Sequence, residues 1–198
     1  MAETLGVEPD ALADLVRRTF DDRTRGRLGD LRETVLFLAS RLGATPPSNA
    51  IDRAVALRLK MTHALHERTW AVPALIELGR AGILRGLVSD CSAETPAIWA
   101  ESPLSPHLET VSFSCHTGYR KPEPGAYLVA ARALGGEPSE CLFVGDGGSY
   151  ELTGATALGM SAIRFIPPGE SRGDSIDEDV NWLGDVIWDL NELVPLLS

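Results

Sequence analysis

Asp146 lies in the turn Gly145-Asp146-Gly147-Gly148, which follows the apolar run from Cys141 to Val144, and Glu151 comes five residues after Asp146. A buried parallel strand delivers a carboxylate to its carboxyl end in this way, and the glycines let the backbone turn tightly beside a ligand. Two acids at such a place suit a hard divalent cation such as Mg²⁺, which takes oxygen ligands in octahedral geometry. The plainer use of Asp146 is to cap the helix that follows. A second strand-like run, Ile83 to Ser89, ends in a hydroxyl and is followed by Asp90. Ser89 can donate to a phosphoryl oxygen or cap a helix entry. The loop from Gly118 to Pro124 holds Lys121 against Pro122, where an ammonium can offset phosphoryl charge.

In this order, Ser89, Lys121 and the Asp146/Glu151 pair resemble the second, third and fourth motifs of the haloacid dehalogenase-like (HAD) hydrolases. The tail from Glu151 to Met160 is similar to the helix and turn after that family's metal-binding strand, and the resemblance covers roughly residues 70–195. It implies an α/β fold, a Rossmann-like parallel sheet with an N-terminal helical cap. It also implies an aspartyl-phosphate intermediate (an ester in dehalogenases), with Mg²⁺ and a lysine offsetting the developing charge. By resemblance, Ser89 and Lys121 are catalytic, Ser89, Asp90 and Lys121 bind phosphate, and Asp146 and Glu151 hold the metal. Two positions depart from the pattern: Asp90 stands where Asn is common, and Tyr150 where Asn or Asp is frequent.

The family's first motif is an apolar strand ending in Asp-x-Asp, which supplies the nucleophile and the general acid/base. Met1 to Asp10 contains no such strand, Asp21-Asp22 follows a helical segment, and Asp177-Glu178-Asp179 lies in a polar loop. The chain is expected to start just past that strand through truncation, a displaced start codon or natural loss. A phosphatase-type scaffold with impaired activity and weak or absent Mg²⁺ binding is therefore expected. A catalytically silent phosphoryl-ligand-binding or regulatory protein is the alternative. A 2-haloacid dehalogenase-type hydrolase is a third reading, against which the retained Asp146/Glu151 pair speaks mildly. By resemblance, the lost strand lies between those ending at Ser89 and Gly145, leaving a gap of about 9–10 Å. Burying its unpaired backbone groups would cost about 1–3 kcal/mol each. Direct pairing of the flanking strands, or a strand donated by a second molecule in a homodimer, is expected over an open slot.

With 198 residues, 44% hydrophobic and 23% charged, the chain can bury one α/β core plus a small cap. Residues 1–70 read as the helical cap and 71–198 as the α/β core. The cap helices are read over 11–20, 31–42 with Asp30 as cap, and 50–65; from residue 70 helices and strands alternate, the pattern of a parallel sheet. A net charge of −10 excludes a nucleic-acid partner but not a small phosphorylated molecule. The N-terminus carries Glu3, Glu8 and Asp10 without an apolar run, and no stretch approaches a membrane span, so a cytoplasmic protein with no membrane partner is expected. Cys91, Cys115 and Cys141 are odd in number without paired spacing and read as small buried residues of a reducing compartment. His63 and His66 sit one helical turn apart, yet without a nearby Cys or acid they read as surface residues.

Overall fold

The computed structural model describes residues 1–62, 69–169, 179 and 182–197. His63, His66, Asp177 and Glu178 lie outside the described residues. The chain divides into two compact units: residues 1–68 with 90–105 and 113–118, and residues 69–89 with 106–112 and 119–198. The helical unit thus includes two segments from the sequence read as core.

In the first unit, α1 (Ala2–Leu5), α2 (Pro9–Arg18), α3 (Phe20–Thr24), α4 (Leu31–Arg41) and α5 (Ser48–Thr62) precede the shorter α7 (Glu94–Ile98) and α8 (Ser114–Thr117). Helix α4 starts where Asp30 accepts the Glu33 N–H and Glu33 accepts the Asp30 N–H, each at 2.8 Å. This reciprocal box satisfies donors that the helix cannot. Leu5, Leu31, Val35, Ala39, Ile51 and Ala54 form the apolar seam between α1, α4 and α5. Asp21 and Asp22 lie inside α3 and pair with Arg25 and Arg27, so they mark no strand end. A buried ionic cluster completes the unit: Arg58 pairs with Glu94, and Arg23 donates to Ser92 Oγ at 3.1 Å. Burial pushes the Glu94 carboxyl up, but the Ser92 hydroxyl and Arg58 outweigh it and hold it below the usual range.

The second unit alternates as the sequence predicts: α6 (Val72–Arg80), β1 (Gly86–Ser89), β2 (Thr110–Phe113), α9 (Pro124–Leu134), β3 (Leu142–Gly145), α10 (Glu151–Ala157), β4 (Ser161–Phe165), β5 (Val186–Ile187) and α11 (Leu193–Leu197). Strands β3, β4 and β5 form one parallel sheet, with Leu142 opposite Ser161 and Arg164 opposite Val186. Strands β1 and β2 form another. The Glu109 N–H reaches the Arg85 carbonyl at the start of this pair, and the Cys91 N–H reaches Ser114 Oγ just past its end, so both strands run the same way.

One continuous sheet is expected from the alternation; the described residues form two. β1 and β3 are not joined, so their expected direct pairing does not occur. Val88 of β1 and Phe143 and Ala162 of the other sheet share an apolar cluster with Ala126, Tyr127 and Ala131 of α9. The cluster packs against these strands without supplying backbone hydrogen-bond partners to them. Accordingly, all four residues of β3 are only half-buried, whereas Ile163, Arg164 and Phe165 of β4 are buried.

Candidate active site

The β3 strand delivers the backbone into a tight turn. Gly147 has φ 94°, and Ser149 and Tyr150 follow at φ 56° and 52°. Left-handed backbone costs a residue with a Cβ about 1–2 kcal/mol, so two in succession store strain beside the carboxylates. Gly145 is required for another reason: a Cβ there would lie 2.0 Å from Glu151 Oε1.

That close approach places the Glu151 carboxylate under the end of β3. Its Oε2 accepts from Lys121 Nζ at 2.5 Å, and its Oε1 accepts the Gly147 N–H at 3.0 Å. Tyr127 secures the backbone by donating its hydroxyl to the Glu151 carbonyl at 2.8 Å. Glu151 is 3% exposed, and this desolvation raises its carboxyl above the ordinary range. The Lys121 ammonium and the Gly147 N–H oppose that rise, while Asp146 adds to it. Asp146 itself is exposed, and its Oδ1 accepts the Gly148 N–H at 2.7 Å.

Asp146 does not cap α10. That cap is Asp179, whose Oδ2 accepts the N–H groups of Leu152 and Thr153 at 2.9 and 3.2 Å and whose Oδ1 accepts the Thr153 hydroxyl. Its own N–H bonds the Gly147 carbonyl at 2.8 Å, and Arg164 donates to its carbonyl at 2.6 Å. Sequence reading treats Asp179 as part of a polar loop. It stands 27 positions beyond Leu152 in the chain, so no local spacing could flag it.

Lys121, Glu151 and Asp146 are therefore brought together at the carboxyl end of β3. Ser89 ends β1 on the other sheet, half-buried, with Asp90 next in the chain. The donor set does not fit an octahedral Mg²⁺ site made by this chain's own side chains. Both Glu151 oxygens already accept hydrogen bonds, Asp146 alone presents an exposed carboxylate, and no group of three His, Cys, Asp or Glu side chains among the described residues could hold a metal ion. Of the expected metal pair, Asp146 faces solvent and Glu151 anchors the lysine.

The haloacid dehalogenase-like hydrolase family pattern matches residues 16–159. Among curated relatives, glyceraldehyde 3-phosphate phosphatase of Methanopyrus kandleri is 30% identical over 140 residues, 65% of this chain and 56% of the relative. Enolase-phosphatase E1 of Sorangium cellulosum is 34% identical over 103 residues, covering 50% of this chain and 44% of the relative. The chain thus spans about half the length of the curated relatives it matches. A HAD phosphatase from Thermococcus onnurineus superposes with a TM-score of 0.57 at 22% identity, covering 96% of this chain and 91% of that one. A 2-haloacid dehalogenase from Pseudomonas syringae superposes with a TM-score of 0.67 at 21% identity, covering 99% and 83%. These two superpositions bear on the fold alone. With the family pattern matched across most of its length and its motif lysine and acids joined at one strand end, the chain belongs to the haloacid dehalogenase-like hydrolases.

Proposed function

We propose that this chain is a phosphatase-type member of the family, binding a small phosphate monoester with Lys121, Ser89 and the turn at Asp146. The observation that carries the reading is the Lys121 ammonium held 2.5 Å from buried Glu151 beside the Asp146 turn. A cation fixed at a strand end in this way is preorganised for an anionic ligand. The phosphatases among the curated relatives support the same substrate class. Asp90 adds a negative charge after Ser89, which repels a phosphoryl group and leaves Lys121 to offset both.

The residues described supply binding groups without an Asp-x-Asp strand end, so the chain alone turns over slowly. Loss of a covalent nucleophile costs on the order of 10⁶ in rate in other enzymes. Mg²⁺ engages Asp146 only weakly, because Glu151 is committed to Lys121. The commitment of both Glu151 oxygens also favours a silent phosphoryl-binding or regulatory role as the second reading. Hydrolysis of p-nitrophenyl phosphate with Mg²⁺ tests the proposal together with calorimetric titration of inorganic phosphate and Mg²⁺. Background turnover, phosphate binding that weakens in Lys121→Met, and Mg²⁺ affinity weaker than micromolar are expected. Robust turnover that vanishes in Asp146→Ala would show that another nucleophile operates.

A further inference from the structure

We propose that Cys91 and Cys115 form a redox-reactive pair that closes to a disulfide on reaction with a hydroperoxide. The two thiol sulfurs lie 4.0 Å apart. A disulfide needs about 2.0 Å, so bond formation requires roughly 2 Å of combined side-chain movement. The backbone is already held for it. Ser114 Oγ accepts the Cys91 N–H at 2.9 Å and donates to the Cys91 carbonyl at 3.2 Å, fixing the residue beside Cys115 against Cys91. Gly26 closes the opposite side, because any Cβ there would lie 2.0 Å from the Cys115 carbonyl oxygen.

The two sulfurs divide the labour. Cys91 is buried, whereas Cys115 is partly accessible. Its hydrogen bond with Cys91 lowers the Cys115 thiol from its ordinary range, against burial and the Glu94 charge, which raise it. Cys141 provides an internal contrast, since burial and the carboxylates of Glu140 and Glu137 raise its thiol. In the first step the Cys115 thiolate attacks a peroxide oxygen. A sulfur–oxygen bond forms, the O–O bond breaks, and the leaving alkoxide or hydroxide takes up the proton that Cys115 gave to solvent. The Cys91 sulfur then attacks the sulfenic sulfur, the S–S bond forms, and water leaves carrying the Cys91 proton. Two thiols and one hydroperoxide thus give one disulfide, one alcohol or water, and one further water. The bond ties the segment after β1, two residues past Ser89, to α8, which directly follows β2. The inference is independent of the phosphatase reading.

The test treats the intact chain with a small excess of hydrogen peroxide, then denatures it, alkylates the remaining thiols and maps the peptides without reductant. Two thiols should be lost per chain, with the Cys91 and Cys115 peptides joined, Cys141 alkylated, and the change reversed by dithiothreitol. Cys115 should react about tenfold or more faster than Cys141. Cys91→Ser should halt at a Cys115 sulfenic acid that dimedone captures. Equal loss of all three thiols, cross-links between chains, or no preferential loss would overturn the proposal. The decisive measurements use the unsubstituted chain, so a variant that fails to fold leaves it testable.

Discussion

Replacing Lys121 by Met keeps the stem and removes the charge, leaving Glu151 buried without its ammonium. The two side chains are 15% and 4% exposed, so the pair is close to fully desolvated. Breaking such a pair from one side typically costs about 3–5 kcal/mol, against a total stability of about 5–15 kcal/mol. For a chain of this size that corresponds to a Tm drop of roughly 6–20 °C. The loss should depend on pH in a defined direction. The folded Glu151 carboxyl lies above its unfolded value, so the native state binds its proton more tightly. Its favourable contribution is complete at low pH and is lost as pH rises through the folded value. Lys121 limits that loss, so the deficit of Lys121→Met should be largest near neutrality and shrink as pH falls toward about 5. Urea denaturation of both proteins across that range measures it. Adding Glu151→Gln to the variant should recover half or more of the deficit, because the uncompensated charge is gone. A neutral-pH deficit below about 1 kcal/mol, or one constant with pH, would refute the reasoning.

Three other substitutions probe the same turn. Gly145→Ala should push the Glu151 carboxylate off Lys121 and cost about 1–3 kcal/mol by overpacking, with a parallel fall in phosphate affinity by calorimetry. Asp179→Ala should cost about 2 kcal/mol in urea denaturation through loss of the α10 cap. Tyr150→Gly should raise stability by about 0.5–1 kcal/mol, because it relieves a left-handed residue whose side chain is half exposed; a loss would mean that the ring's contacts outweigh the strain.

The legible features were the local ones. Asp30 and Glu33 are three residues apart, so their capping box can be read directly, as can α9 between Pro124 and Gly135. The start of β1 was less legible. Ile83 bonds back to the Leu78 carbonyl to end α6, and Arg85 is held by Glu109, so the apolar run becomes strand only at Gly86. The site followed the same division. Asp146, Glu151 and Lys121 were legible as types, but the contact between Lys121 and Glu151 spans 30 positions, and Asp179 capping and the Cys91–Cys115 approach span 26 to 27 and 24. Spacing along the chain therefore proposes a metal pair, while the fold uses one of those acids to anchor the lysine.

The division of the strands into two sheets has a consequence for amide hydrogen exchange. Among the described residues, β4 is the strand paired on both sides, to β3 and to β5, and its central side chains are buried. Its amides should open only with the whole second unit and exchange slowest. β1 and β3 each have one partner strand, so alternate amides on their unpaired edges should exchange through small local fluctuations. Protection should therefore peak at β4 and fall off at β3 and at β1, although all three strands pack against the same apolar cluster.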